Sequence, residues 1–513
     1  MAMHESASVL SWTTSMCFLG GMWLVYVVGL LVQRLWFSPL AHFPGPRLAA
    51  LTQCYEFYYD FVLGGQYNQK IQELHEIYGP VVRINPWEVH VADRDFYAKL
   101  HASSGPVIRP RRSASFWEKQ FGTHDNNTIT TVDDEPQTLR QGALNPFFST
   151  QSVHEQQSVI EERVDALLHA LIKYAKKYHG KPLNVLHPLS AFTNDVMNKY
   201  AFARSDHLLE REDFGAEVAD RMLKGTQSGL LGRHTGCVSG SSRRIASEFR
   251  GSEKQRLLLD DRYSTVFHEI LSPRETPFHD MDPDFLAREG EALLQGGTLL
   301  PAWAMSLAVL HLLHKPSTLA KLRDELCTAM PDPNDAISLA RLEDLPYLSA
   351  VIQESLRLSL GSSGRLAQVA PHNDTLTCRD SVTGKAWEVP GGVLVSTTPY
   401  GSLMDSDIFR DAESFQPERW LEGGDCLDHH LVSGRSGLQA CVGMALANAE
   451  MHLSLAKLFR RWGGHGDRRP GDVGFFNVLD LQVRDCEMAT EDYSLPRVPN
   501  KRSKALQVVL EAC

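Results

Sequence analysis

The longest apolar stretch of the chain lies near its N-terminus. No charged residue occurs from Ser6 to Gln33, and Met16–Val32 is almost wholly apolar. Because a helix rises about 1.5 Å per residue, this stretch crosses most of a bilayer. We therefore expect residues 1–37 to form a membrane anchor. A cleaved signal peptide is the alternative, but it fits poorly because the apolar region is long and no Lys/Arg cluster precedes it.

The charges that flank this stretch predict its orientation. One acid, Glu5, precedes it, whereas Arg34 and Arg47 follow it. Positive flanks remain on the cytosolic side of a membrane. The pattern therefore predicts a single-pass protein whose remaining residues face the cytosol.

The rest of the chain has mostly the apolar periodicity of helices. Prolines in Pro39–Pro46 predict a stiff connector, and Val81–Asp93 is typical of a β-hairpin. Helical patterns then continue to about residue 360, interrupted by a Gly/Ser-rich segment, Gly225–Ser252, that predicts a mobile loop. We expect residues 38–513 to form one mainly α-helical domain with small β-sheets.

One predicted helix contains no charge over 19 residues, Ala292–Leu310. Its length alone would allow a second membrane span, but a helix buried on all sides has the same pattern. Gly296, Gly297, Thr298 and Pro301 favour burial, because neighbours in a packed core can satisfy the backbone groups that a proline frees. Small residues before the proline also let a large flat ligand lie against the helix.

Charge and cysteine content exclude several classes of protein. The formal net charge is −11, from 51 Lys and Arg against 62 Asp and Glu, and no long basic run occurs. Nucleic-acid binding is therefore not expected, because it depends on neutralising phosphates. The nine cysteines are odd in number and scattered along the chain, which fits a reducing compartment.

Two charged residues of a later helix predict a buried ion pair. Glu354 and Arg357 are three residues apart in Tyr347–Gly361, so they share one helix face. The surrounding residues are largely apolar, and a buried pair needs further partners to offset desolvation. Arg419, in a Pro-Glu-Arg-Trp segment, is a candidate third member.

The strongest chemical signal is a cysteine that precedes a helix. Ser433–Gly464 begins as a glycine-rich loop and continues as an amphipathic helix, which places Cys441 just before or at the helix start. Free backbone N–H groups and the helix dipole stabilise a thiolate at that position. Such a thiolate can ligate iron or act as a nucleophile, and a buried structural cysteine is an equal alternative. A zinc site is conceivable, although its spacing matches no standard pattern; its ligands would be Cys426, His429, His430 and Cys441.

Taken together, these features resemble the cytochrome P-450 superfamily, particularly the membrane-bound fungal enzymes of secondary metabolism. The resemblance spans the whole chain. It rests on the order and spacing of the anchor with its Pro-Gly-Pro hinge, Leu144–Ser149, Glu354-x-x-Arg357, Ser363–Leu366, Pro417–Trp420 and Gly437-x-x-x-Cys441-x-Gly443.

The resemblance implies a haem-thiolate site. Cys441 would be the proximal ligand of the iron of haem b, in a loop that Gly437 and Gly443 keep open. Arg365 and Arg140 would pair with the haem propionates.

The same resemblance assigns two structural roles. Glu354, Arg357 and Arg419 would form the buried triad of the haem-binding core. The helix Ala292–Leu310 would lie over the distal face of the haem.

The chain departs from the family pattern in the loop that carries the cysteine and in the distal helix. The family usually has Phe seven residues before the cysteine and Arg two before it, where this chain has Gly434 and Gln439, with Arg435 a speculative substitute. In the distal helix, the acid and threonine that relay protons align with Leu299 and Leu300. No proton-relay residue is therefore assigned.

The resemblance implies a monooxygenase of the endoplasmic reticulum that receives electrons from NADPH through NADPH-cytochrome P-450 reductase. Its substrate would be an apolar small molecule, a terpenoid or polyketide intermediate of secondary metabolism. Two alternatives stay open because the relay is missing. One is a haem-thiolate protein with non-oxygenating chemistry, such as rearrangement or dehydration; the other is a catalytically impaired ligand-binding relative.

Overall fold

The structure is a computed structural model that describes most of the chain, with gaps. The described residues are 2–93, 96, 111–112, 142, 144–202, 204–223, 283–361, 364–370, 373–379, 383–423, 427, 430–431, 441–464, 466–478 and 507–512. The predicted loop Gly225–Ser252 lies outside them.

Helices account for most of the described residues, as the sequence predicts. In chain order the α-helices are α1 (Ala2–Val32), α2 (Arg47–Leu51), α3 (Cys54–Phe57), α4 (Tyr67–Tyr78), α5 (Thr150–Glu155), α6 (Gln157–Lys177), α7 (Leu186–Phe202), α8 (Pro283–His314), α9 (Pro316–Ala329), α10 (Leu339–Glu343), α11 (Pro346–Leu358), α12 (Pro399–Leu403), α13 (Glu418–Gly423) and α14 (Met444–Arg461). Shorter turns are π-helical at Gln33–Phe37 and Tyr58–Val62 and 3₁₀ at Leu208–Glu210.

Three small sheets accompany the helices. Their strands are β1 (Val81–Asn85), β2 (Glu88–Val91), β3 (Arg111–Arg112), β4 (Pro182–Asn184), β5 (Leu366–Val369), β6 (Thr375–Arg379), β7 (Ala386–Pro390), β8 (Leu394–Thr397), β9 (Trp462–Gly464), β10 (Gly474–Val478) and β11 (Gln507–Ala512). The sheets have the strand orders β1-β2-β8-β5-β3, β4-β11-β10-β9 and β6-β7. The predicted hairpin is confirmed, because β1 and β2 pair antiparallel around the turn at Pro86 and Trp87.

The main core surrounds α8. This helix packs along α7 and also contacts α9, α11 and α14. Its segment Ala292–His314 is 78% buried, so the charge-free helix is a core helix, as its small residues and proline predict. The helix continues through Pro301. A proline and two glycines in a helix interior are unfavourable in isolation, so tertiary packing stabilises this element.

The N-terminal helix has the opposite environment. Ser15–Phe37 is long and apolar enough to span a membrane, and none of it is buried against the rest of the chain. Irregular backbone with turns follows it up to Pro46. In that connector Gly45 has φ +155°, and a Cβ there would collide with the carbonyl oxygen of Arg83. The glycine therefore lets the connector lie directly against β1.

Candidate active site

Cys441 lies three residues before α14 begins at Met444. The amide N–H of Met444 donates to the carbonyl oxygen of Cys441, 3.3 Å away. The cysteine side chain is exposed on the described protein surface and is not in a disulfide bond. Cys441 therefore lies within one turn of the N-terminus of an 18-residue helix, a position at which the helix dipole generally favours a thiolate.

Two glycines of α14 and α8 have open space around their backbones. At Gly443, the N-cap of α14, and at Gly296 of α8, an added Cβ would meet no heavy atom of the described residues within 4 Å. The helices that carry these glycines pack together further along, where the Ser454 hydroxyl lies 3.0 Å from the sulfur of Met305. Space therefore remains at Gly443 and at Gly296 while the two helices stay in contact.

One side of α8 is fastened to α7. The Thr193 hydroxyl donates to the carbonyl oxygen of Thr298 (2.8 Å), and the Asn194 amide donates to the Thr298 hydroxyl (3.3 Å). A Cβ on Gly297 would collide with the side chain of Met197. Thr298 is thus buried against α7, and its hydroxyl accepts a hydrogen bond from that helix.

The side of α8 that carries Gly296 and Leu300 is more open than the side that packs against α7. Gly296 is exposed and Leu300, one helical turn later, is half-buried on the same face. Leu299 is 2% exposed and packs into the protein. Thus Leu300 borders the open side, whereas Leu299 does not.

The structure brings the three predicted triad residues together. Arg357 donates from Nε and Nη2 to the two oxygens of Glu354, at 2.9 and 2.8 Å. Arg419 donates from Nε to Glu354 Oε1 at 3.2 Å. Glu354 and Arg357 are fully buried. Bidentate geometry and additional hydrogen bonds are what allow such buried charges to offset their desolvation.

Two further donors complete the coordination of Glu354. The backbone N–H of Gln416 donates to Oε1 and the indole Nε1 of Trp420 donates to Oε2, each at 2.9 Å. The sequence contains this tryptophan in its Pro-Glu-Arg-Trp segment. Its indole N–H, which a phenylalanine ring lacks, was the only sequence signal for a polar role.

Replacing Trp420 by phenylalanine is expected to lower the free energy of unfolding by about 1.5–3 kcal/mol, because a buried carboxylate loses one charged hydrogen bond. Trp303→Phe is the matched control. Trp303 and Trp420 are 5% and 6% exposed, and among the described residues the Trp303 indole N–H has no hydrogen-bond partner. Chemical or thermal unfolding of the two variants measures the difference, and equal losses would contradict the proposed contribution of this hydrogen bond.

Arg365 has carboxylate partners inside the protein. Its guanidinium donates from Nη2 to Glu56 and from Nη1 to Glu88, the latter at 3.2 Å, and its central carbon lies 5.1 Å from the ring centre of Tyr67. The side chain is fully buried. These contacts connect α3, which carries Glu56, with β2 and with the residue that precedes β5. A role of Arg365 at a haem propionate stays a prediction, and the sequence did not point to either carboxylate.

Several predicted site residues lie outside the described part of the chain. They are Arg140, Gly434, Arg435, Gly437, Gln439, Cys426 and His429. Among the residues that are described, no group of three or more His, Cys, Asp or Glu side chains could hold a metal ion.

The helix that follows Cys441 contains a buried carboxyl group that sequence reasoning missed. Glu450 is 1% exposed, and its Oε1 has no hydrogen-bond partner among the described residues. Burial raises the pKa of the Glu450 carboxyl well above its usual value. Because desolvation penalises only the charged form, the carboxyl is expected to be protonated in the folded protein.

Glu450→Gln is expected to stabilise the protein increasingly as the pH rises. An unfolded chain ionises this group near pH 4.5, whereas the folded chain keeps the proton. Between the two pKa values the native protein therefore loses about 1.4 kcal/mol per pH unit, which a neutral amide avoids. Unfolding midpoints at pH 5 and pH 8 test this, with the exposed Glu76→Gln as control; a stability difference independent of pH would contradict it.

Comparison with known proteins identifies the class to which this fold and site belong. The family described as cytochrome P450 matches residues 244–465. Cytochrome P450 monooxygenase tpcC of Cochliobolus heterostrophus is 37% identical, over 94% of this chain and 95% of its own length. Cytochrome P450 monooxygenase astB of Talaromyces wortmannii is 35% identical over 93% and 95% of the two chains. Tryptophan 6-hydroxylase fscE of Fusarium equiseti is 33% identical over 95% and 96%.

The chain therefore belongs to the cytochrome P450 family. Its similarity extends over nearly the full length of these fungal monooxygenases. The resemblance inferred from the motifs is confirmed, and so is the mainly helical fold with small sheets.

Proposed function

We propose that this protein is a haem-thiolate monooxygenase that oxidises an apolar small molecule, a terpenoid or polyketide intermediate of secondary-metabolite biosynthesis. The observation that carries the proposal is the placement of Cys441 before the N-terminus of α14 in a chain that is similar along its length to P450 monooxygenases. Electrons would come from NADPH through NADPH-cytochrome P-450 reductase, and α1 would hold the protein in the endoplasmic reticulum membrane with the body in the cytosol.

The residues at Cys441 and at the two glycines fit the binding of a haem through its iron. Within the described residues, Cys441 is exposed, and the backbone at Gly443 and Gly296 has open space beside it that a Cβ would fill. When bound, a thiolate-ligated haem b supplies dioxygen activation and oxygen insertion. For this chain we assign iron ligation to Cys441, loop opening to Gly437 and Gly443, and support of the core to the triad. Arg365 and Arg140 would contact the haem propionates.

The proposal is tested with the full-length protein in phospholipid vesicles that also contain the reductase. A reduced carbon monoxide spectrum of the thiolate type, and product that requires both NADPH and dioxygen, are the expected results. Product without either reagent would favour rearrangement or dehydration. A normal spectrum with no turnover across a panel of terpenoids, polyketides and indoles would favour a ligand-binding relative.

The open side of α8 leads to a prediction about proton supply. Leu300→Thr places a hydroxyl beside Gly296, on the open side, so it is expected to raise the fraction of consumed NADPH that yields product severalfold. Leu299→Thr is the control, because Leu299 is buried in the protein. Product and NADPH consumption are measured together. If the Leu300 variant gains nothing over the control, protons reach the site by another route, such as ordered water or a substrate hydroxyl.

A further inference from the structure

A cavity outside the candidate active site lies between α6 and the segment that follows α7. Residues 166–178 of α6 and its C-terminal end form one wall, and residues 209–214 form the other. Its volume is about 230 Å³. Pockets for drug-sized ligands measure about 300–1,000 Å³, so this cavity suits a smaller molecule.

The floor of the cavity is aromatic and apolar. The ring centre of Tyr174 lies 4.9 Å from that of Tyr178 and 5.8 Å from that of Phe214. Leu209, which also lines the cavity, is 2% exposed, and the small side chain of Ala170 leaves space in the α6 wall. Three neighbouring rings favour a flat aromatic ligand, because aromatic rings pack against one another in stacked and edge-to-face arrangements.

The second wall is held in position by the protein itself. The buried carboxylate of Asp195 accepts hydrogen bonds from the backbone N–H groups of Leu208 and Leu209, each at 3.2 Å. Phe214 has φ +56°, a left-handed conformation that is costly for a bulky residue. At Gly215, where φ is +59°, a Cβ would collide with Leu208. The turn therefore keeps the Phe214 ring in the wall at an energetic cost, which is typical of functional sites.

Both acids that line the cavity already have partners. Glu212 accepts hydrogen bonds from Lys177 and from the Tyr178 hydroxyl, the latter at 3.0 Å. Glu210 lies 3.6 Å from Nη1 of Arg163, a buried residue outside the cavity. A cationic ligand would therefore have to displace a partner of one of these carboxylates.

Two cations on the rim of the cavity are less engaged. Lys173 of α6 is exposed, and among the described residues it forms no ion pair. Arg211 of the opposite wall lies 3.8 Å from the exposed Glu217, a geometry that contributes little. Each wall thus offers one cation, and lysine and arginine are the residues that bind carboxylates.

We propose that this cavity is a second ligand-binding site and that its ligand is a small aromatic carboxylate. The ring of the ligand lies against Tyr174 and Phe214, and Lys173 and Arg211 hold its carboxylate at the rim. A neutral aromatic molecule leaves the two cations without this partner, and an inorganic anion leaves the apolar floor in contact with water. None of these contacts involves a haem, so the site is independent of the function proposed above.

The test measures binding of 2-naphthoate to the full-length protein in phosphatidylcholine vesicles by saturation-transfer NMR, with protein-free vesicles as background. The neutral probe is 2-naphthamide, which has nearly the same shape. The carboxylate is expected to bind with a dissociation constant below about 1 mM and at least about threefold more tightly than the amide. The haem spectrum of the same sample is expected to stay unchanged.

Matched variants assign the binding to the cavity. Ala170→Trp fills the space with an indole and is expected to abolish binding, whereas Lys173→Gln combined with Arg211→Gln is expected to weaken it about tenfold. Lys176→Gln removes the same charge from α6 outside the cavity and should change the dissociation constant less than about twofold. Thermal unfolding midpoints show which variants fold. If Ala170→Trp does not, the variants with exposed charges removed still decide the question.

Three results would overturn the proposal. Absence of 2-naphthoate binding at millimolar concentrations would mean that the cavity takes no ligand of this class. Equal affinity for the carboxylate and the amide would exclude recognition of the anion. Binding that the cavity variants retain, or that shifts the haem spectrum and is blocked by imidazole, would place the ligand elsewhere in the protein.

Discussion

Replacing Cys441 by alanine is expected to abolish the thiolate-type spectrum of the reduced carbon monoxide complex and all NADPH-dependent product. Alanine has no atom that can ligate iron, and the free N–H groups at the start of α14 then have no anion to stabilise. Cys441→Ser is expected to remove the same spectrum, because a hydroxyl remains protonated where a thiol ionises. Absorption spectra of the purified full-length variants in lipid measure both effects.

The matched control for the cysteine is Cys54→Ala. Cys54 is also exposed, but it lies in α3, far along the chain from the candidate site. Its replacement should leave the spectrum unchanged. A thiolate-type spectrum retained by the Cys441 variant would refute the ligand assignment, and with it the central part of the proposed function.

Replacing Glu354 by alanine is expected to have the second-largest effect, a loss of about 3–5 kcal/mol of folding stability. The change leaves Arg357 and Arg419 as buried cations without their carboxylate, and it also leaves the Trp420 indole N–H without its acceptor. Because native domains are only marginally stable, much of the protein should be recovered unfolded or aggregated. Soluble yield and the unfolding midpoint measure the loss.

Glu418→Gln is the control for this prediction. Glu418 belongs to α13, next to Arg419, and pairs with Lys321 at 2.7 Å, but both side chains are substantially exposed. An exposed pair contributes at most about 1 kcal/mol. Similar losses in the two variants would mean that burial of the triad does not determine its contribution.

Features encoded within a short segment could be predicted from the sequence. Helical and strand periodicity, the turn at Pro86, and the small residues and proline that favour burial of α8 are local patterns, and the structure agrees with them. The position of Cys441 relative to its helix is also local. The Glu354 and Arg357 pair could be anticipated because helix geometry alone brings residues three apart onto one face.

Contacts between distant segments could not be predicted in the same way. Glu56 and Arg365 are 309 residues apart, and the sequence gives no sign that an acid after the anchor would meet an arginine before β5. The burial of Glu450 was equally hidden, because a lone glutamate in an amphipathic helix usually faces water. Thr298 is a further case: the sequence predicts that its helix is buried, but only the packing of α7 identified its partners.

The sheet β4-β11-β10-β9 has a consequence for protein synthesis. Of its four strands, β4 is synthesised first and β10 third, and these two strands are not neighbours in the sheet. The last strand to be synthesised, β11 (Gln507–Ala512), lies between them and pairs with both. After residues 182–184 are synthesised, more than 300 further codons are therefore translated before their partner strand, β11, leaves the ribosome. This part of the fold closes only once Gln507–Ala512 has been translated, so β4 remains an unpaired strand from its own synthesis until then.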